Sequence, residues 1–137
     1  MENITVKIDK YDNCRLRPQY DKSYDGDFKL RDTHKAFFSD GSHCSCFVGQ
    51  VSEPFYNNDM NTYSVMYGMQ FYEDDNSNMS NSAWEAANEL SAETCYNFDV
   101  PAVEDEPDYD KIDEEEKHVI NGIMFKFKNV TKSMWNN

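Results

Sequence analysis

Alternation of apolar and polar positions is the strongest regularity along this chain. Residues 62–72, TYSVMYGMQFY, place Tyr63, Val65, Tyr67, Met69 and Phe71 on one face and Ser64, Met66, Gly68, Gln70 and Tyr72 on the other, the period of a β-strand. Both faces carry apolar groups, which predicts a central strand, with Gly68 at a bulge or a close approach by another element. NITVKI at 3–8 alternates in the same way, with Ile4, Val6 and Ile8 against Thr5 and Lys7. HCSCFVGQV at 43–51 puts Cys44, Cys46 and Val48 opposite Phe47, Gly49 and Val51. The Asp40-Gly41 turn signal joins it to HKAFF at 34–38, a short strand or a single helical turn, and two strands there make a hairpin. CRLR before Pro18 is a further short candidate. IMFKFKNV at 123–130 also alternates after an Asn121-Gly122 turn signal, so it is expected as the last strand.

One segment carries the helical period instead. Trp84, Ala87, Leu90 and Thr94 recur on one side, and Ser82 with Glu85 has the spacing of a capping box. A helix over about 83–97 is expected, with Glu85, Glu89 and Glu93 on its outer face. Pro101 and Pro107 exclude a helix through 99–107, and a short one anchored by Tyr109 and Ile112 fits from Asp108 onward. The elements predict an α+β fold: an antiparallel sheet of about five or six strands with one main helix packed on one face. At 137 residues the chain is expected to be a single domain, 1–137, able to bury a core without staples, with an acidic connecting segment at 99–117.

Charge changes this picture most. The formal net charge is −13, so phosphate backbones and anionic membranes repel the chain and a basic protein surface is its natural complement. No direct nucleic-acid partner and no membrane partner are expected. MENITVKIDK is too polar for a secretory leader, and no apolar run reaches the length that spans a bilayer. Surface acidity for solubility is the plain alternative reading of the charge.

Candidate chemistry is sparse. Asp21, Ser23, Asp25, Asp27 and Asp32, with Gly26 between them, have the spacing of a calcium loop and resemble an EF-hand loop over residues 21–32. Asp32 replaces the usual bidentate Glu, Lys29 and Arg31 add positive charge, and Pro18 spoils the entering helix. His43-Cys44-Ser45-Cys46 with His34 and Cys14 or Cys95 offers zinc ligands, but a single C-x-C lacks the paired spacing of zinc sites, and buried thiols are the commoner outcome. A Cys–His nucleophile finds no supporting elbow, and phosphate-binding glycine loops are absent. No cofactor and no enzymatic activity are expected. The aromatic face of 62–72 is either core or the wall of a small-ligand pocket.

Residues 99–117, DVPAVEDEPDYDKIDEEEK, hold ten carboxylates against two lysines. Such a run is either a solvated linker or a phosphate mimic. Its charges fall about every 3 Å if helical and about every 6 Å if extended, against about 3.4 Å along one DNA strand. Tyr96, Phe98 and Tyr109 lie where stacked bases would lie. Small, acidic, aromatic-rich and without catalytic motifs, the chain resembles in general character phage-encoded inhibitors of host nucleases, including anti-CRISPR proteins, although no motif aligns. That resemblance implies an inhibitor occupying the Lys/Arg-rich groove of a nucleic-acid-processing enzyme, in the cytoplasm of a host cell. Glu104, Asp105, Glu106, Asp108, Asp110, Asp113, Glu114, Glu115 and Glu116 are the expected recognition residues, all on the surface. Glu73, Asp74 and Asp75 form a second candidate patch.

Overall fold

A computed structural model describes residues 4–10, 34–73 and 75–135, the last five through their backbone. The elements run β1 (Val6–Lys10), β2 (His34–Phe38), β3 (His43–Gln50), β4 (Phe55–Asn57), β5 (Thr62–Tyr72), α1 (Asn81–Glu93), β6 (Tyr96–Val103), β7 (Glu106–Pro107) and α2 (Tyr109–Trp135). The sheet is antiparallel in the order β1-β2-β3-β5-β6-β7, and β4 pairs with the start of β5. The architecture is therefore α+β, as the pattern predicts.

The alternation of β5 sets the two faces. Val65, Tyr67, Met69 and Phe71 are buried in one cluster with Val6, Ala36, Cys44, Cys46 and Val48 from the neighbouring strands. Their register is unbroken: Cys46 faces Phe71, Val48 faces Met69 and Gln50 faces Tyr67. This is the core face, so the aromatic stripe of 62–72 is core. Both helices pack against β5 and touch each other, contributing Ala83, Ala86, Ala87 and Leu90 from α1 and Ile112, Ile120 and Ile123 from α2 to the same cluster. The β2–β3 hairpin closes through Asp40-Gly41, with Gly41 at φ 91° and the Asp40 carboxylate accepting from the Ser42 amide.

The structure departs from the sequence reading at several places. The N-cap of α1 is Ser80, whose hydroxyl accepts from the Ala83 amide at 3.0 Å, and Ser82 lies inside the helix. A tertiary contact makes the choice: the Ser80 hydroxyl donates to Asp40 and its amide donates to Ser42 Oγ, which ties the helix start to the β2–β3 turn. The helix also stops at Glu93 rather than near 97. Thr94 caps it by bonding back to the Leu90 carbonyl, and Tyr96, Phe98 and Val100 then alternate as β6.

The largest departure is at 123–130, which is helix, not a last strand. Ile112, Val119, Ile120, Ile123 and Phe127 are buried along one side of α2, at the separations of three, four and seven that return to one helix face (120 to 123, 119 to 123 to 127, 112 to 119). A short apolar run satisfies both periods, and here the longer helical register prevails, leaving Phe125 exposed. Asn121-Gly122 consequently forms no turn. A Cβ on Gly122 would stand 3.3 Å from the Tyr96 hydroxyl, which bonds the Gly122 carbonyl; this glycine serves a close approach between α2 and β6. Gly68, in contrast, marks neither a bulge nor a tight contact, since the β3–β5 register runs through it and its nearest neighbour would be at 3.7 Å.

Candidate functional site

The acidic stretch is folded along its whole length, so its expected role as a connecting segment gives way to two structured pieces. The first is the β6–β7 hairpin. Val103 pairs with Glu106, leaving Glu104 and Asp105 as a two-residue loop with φ of 52° and 64°. Positive φ at both loop positions is the signature of a type I′ turn, whose right-handed twist suits a hairpin. Glycine and asparagine normally fill it, because side chains crowd the backbone there. The Tyr63 hydroxyl on β5 fastens the loop by donating to the Asp105 carbonyl at 2.7 Å.

The second piece is the start of α2. Asp108 is its N-cap: its carboxylate accepts from the Lys111 amide at 3.2 Å, and its carbonyl accepts from the Ile112 amide. Asp110, Asp113, Glu114 and Glu115 follow on exposed positions, Asp110 within the first turn at the positive end of the helix dipole. Lys111 reaches Glu114 at 3.5 Å. Glu116 corrects the sequence reading. It is 8% exposed because it stands four residues from both Ile112 and Ile120 and so falls on the inward stripe.

The remaining predicted residues scatter. Glu73 and Asp75 are exposed beyond the far end of β5, roughly 30 Å along the strand from the Tyr63–Asp105 contact at strand rise, so the two acidic regions do not form one patch. Asp74 lies outside the described residues, as do Cys14 and the candidate calcium ligands Asp21, Ser23, Asp25, Asp27 and Asp32. Cys44 and Cys46 point into the core from β3. His34, opposite Cys46, is buried, and burial together with Lys10 across the strand pair lowers its pKa from 6.5 to about 4, so its imidazole is neutral at pH 7. Among the described residues, no group of three or more His, Cys, Asp or Glu is placed to hold a metal ion. Among them too, no helix is long and apolar enough to cross a membrane.

Tyr96 and Phe98 do not stand out to receive or imitate bases. Both pack against the core, with Phe98 against the Tyr67 ring at 5.6 Å and Lys126 over the Tyr96 ring at 4.7 Å. Tyr109 instead joins Glu53, Tyr63, Asp105, Glu106 and Pro107 around a cleft of about 200 Å³. Glu53, Tyr56 and Phe55 enter this end of the molecule unannounced, because Pro54 and Asn57-Asn58-Asp59 read as a loop after the strand at 43–51. A charge signal was present: residues 36–110 contain fifteen Asp and Glu and no Lys or Arg, so the imbalance extends far upstream of residue 99.

No family model, curated protein or solved structure matches this chain.

Proposed function

We propose that the chain is a non-catalytic acidic interaction protein. It binds the Lys/Arg-lined groove of a nucleic-acid-processing enzyme and excludes nucleic acid by presenting carboxylates in place of phosphates. The observation that carries this reading is the ordered backbone under the charge. Eight of the ten carboxylates at 99–117 are exposed, and they stand on a strand, a hairpin turn and a helix start rather than on a linker. Fixed charges produce a directed field that steers a basic partner, whereas a floppy chain spreads the same charge over many arrangements. This reading groups the protein with phage-encoded anti-defence inhibitors, anti-CRISPR proteins among them, acting in a host cytoplasm.

A small-ligand role finds less support. The cleft beside Tyr63, about 200 Å³, is smaller than the ~300–1,000 Å³ of ordinary ligand pockets.

The test is capture from lysate on the immobilised full chain, elution by a salt gradient, and competition of each recovered protein with DNA and RNA. The expected result is a nucleic-acid-handling protein that leaves the column as salt rises and is displaced by nucleic acid. Partners that bind independently of salt, or that bind this chain and nucleic acid simultaneously, overturn the reading.

A further inference from the structure

The sheet has a second face, and among the described residues no element covers it at the β4–β5–β6 end. Along β6 the exposure alternates: Asn97, Asp99, Pro101 and Val103 are exposed while Val100 is buried. The buried set faces the helices. The exposed set shares its face with Phe55, Ser64 and Met66, because Phe55 pairs with Ser64 and Ser64 pairs with Asp99. Phe55 is 74% exposed, Val103 49% and Met66 37%. Pro101 lies between Asp99 and Val103 on the same face, one row nearer the hairpin tips. Adjacent cross-strand rows thus make Phe55 and Met66 diagonal neighbours beside Asp99, with Pro101 one row and Val103 two rows further along β6, on a face that the helices leave uncovered.

Carboxylates border this apolar centre. Asp99 sits within it, held by the Ser64 hydroxyl at 2.6 Å. Asp59 lies in the β4–β5 turn, and Glu104 and Glu106 in the adjoining β6–β7 hairpin, all exposed. The Ala102 amide bonds the Asn61 carbonyl, so the two turns sit side by side. No Lys or Arg falls within the segment that builds these elements. An apolar centre with a polar rim is the anatomy of a protein-binding surface, and an exposed aromatic is its usual anchor.

We infer that this open face is a docking surface for a protein partner that presents an apolar side chain ringed by Arg or Lys. The inference rests on the proposed reading of a basic partner and adds to it a place and an apolar anchor. Charge complementarity selects the occupant. A second copy of this chain would bring an identical acidic rim against the first, and like charges across an interface repel. The partner's cations meet Asp59, Asp99, Glu104 and Glu106, while its apolar group covers Phe55 and Met66. Binding then has a salt-sensitive part, carried by the rim, and a part that salt leaves intact, carried by Phe55.

Two synthetic peptides of equal positive charge test this. Both are Arg-rich; one intersperses Leu and Trp and the other Gly and Ser. Each is titrated at low salt into the full isotope-labelled chain, with amide shifts followed by NMR, for the unsubstituted protein and for Phe55→Ala. Phe55 is a surface residue, so the variant keeps the fold. The expected result is shifts clustered at Phe55, Ser64, Met66, Asp99 and Val103, tighter binding of the Leu/Trp peptide, and loss of about tenfold or more of that affinity in Phe55→Ala, with the Gly/Ser peptide unaffected. Shifts confined to the start of α2, or a Phe55→Ala variant that binds both peptides as before, overturn the docking surface while leaving a basic partner in place. Failure of both peptides to bind at low salt overturns the basic-partner reading, and this surface with it. Sedimentation showing that the unsubstituted chain dimerises and Phe55→Ala does not assigns the face to self-association and also overturns the proposal.

Discussion

The two halves of the acidic stretch carry similar charge for different physical reasons. At the start of α2 the acids meet needs of the helix itself. Asp108 satisfies an amide that the first turn leaves without a partner, Asp110 in the first turn opposes the positive end of the dipole, and Lys111 bonds Glu114 one turn on. Even Glu116 is drawn into the packed side. The β6–β7 hairpin gains no such local benefit. Glu104 and Asp105 occupy positive φ, where glycine or asparagine would be more comfortable, and two adjacent carboxylates repel. Acids that stabilise the helix need no further explanation. Acids placed against local preference, beside an exposed Val103, are the better pointer to recognition.

Removing what anchors the helix half gives the largest expected effect. Ile112 is 2% exposed directly beneath the acidic start of α2. Ile112→Ala is expected to cost about 2–5 kcal/mol, read by urea unfolding. A loss below 1 kcal/mol would mean that this end of the helix is not seated on the core.

Acid titration compares the halves fairly only once His34 is separated out. Its folded pKa, about 4, lies below the ordinary 6.5, so the unfolded chain binds a proton that the folded chain does not. Its contribution to stability is complete above pH 6.5 and is lost as pH falls from 6.5 towards 4. The difference between unfolding curves of the unsubstituted chain and His34→Gln should slope through that window and be flat above it. A flat difference throughout would show an accessible imidazole.

Asp108→Ala and the paired change Glu104→Asn with Asp105→Gly test the comparison directly, because they should have opposite signs. Loss of the N-cap is expected to destabilise by about 1 kcal/mol. The Asn-Gly hairpin is expected to stabilise by up to about 1 kcal/mol, since it fits a type I′ turn and relieves repulsion. If the hairpin change destabilises instead, the two acids have a structural use and the contrast fails.

The smallest effect is expected from Asp113, Glu114 and Glu115 changed together to Asn or Ser. All three are exposed, and stability should stay within about 0.5 kcal/mol per site. Calorimetry showing a loss of several kcal/mol would place them in satisfied contacts. Glu116 stays out of this set because it is buried.

Period and charge along the chain, taken alone, determined β5 as the central strand, the turn at Asp40-Gly41, the apolar face of β1, the strand at 43–51 and the α+β class. Each rests on local information: alternation needs only residues two apart, and Asp40-Gly41 closes its own turn. The acidity was equally plain, since net charge requires no coordinates. Tertiary structure decided the rest. Whether IMFKFKNV was strand or helix depended on Ile112, Val119 and Ile120 upstream continuing the same stripe, and on a sheet face wide enough to receive it. Ser80 rather than Ser82 became the cap because Asp40, distant in sequence, reached it. Glu116 went inside and Glu115 stayed outside because a helix turns about 100° per residue, a phase that only the full length of α2 fixes. The open face also came from tertiary pairing. Phe55, Met66 and Val103 come from three strands, and only the pairing of β4, β5 and β6 puts Phe55 and Met66 beside Asp99, with Val103 further along β6 on the same face.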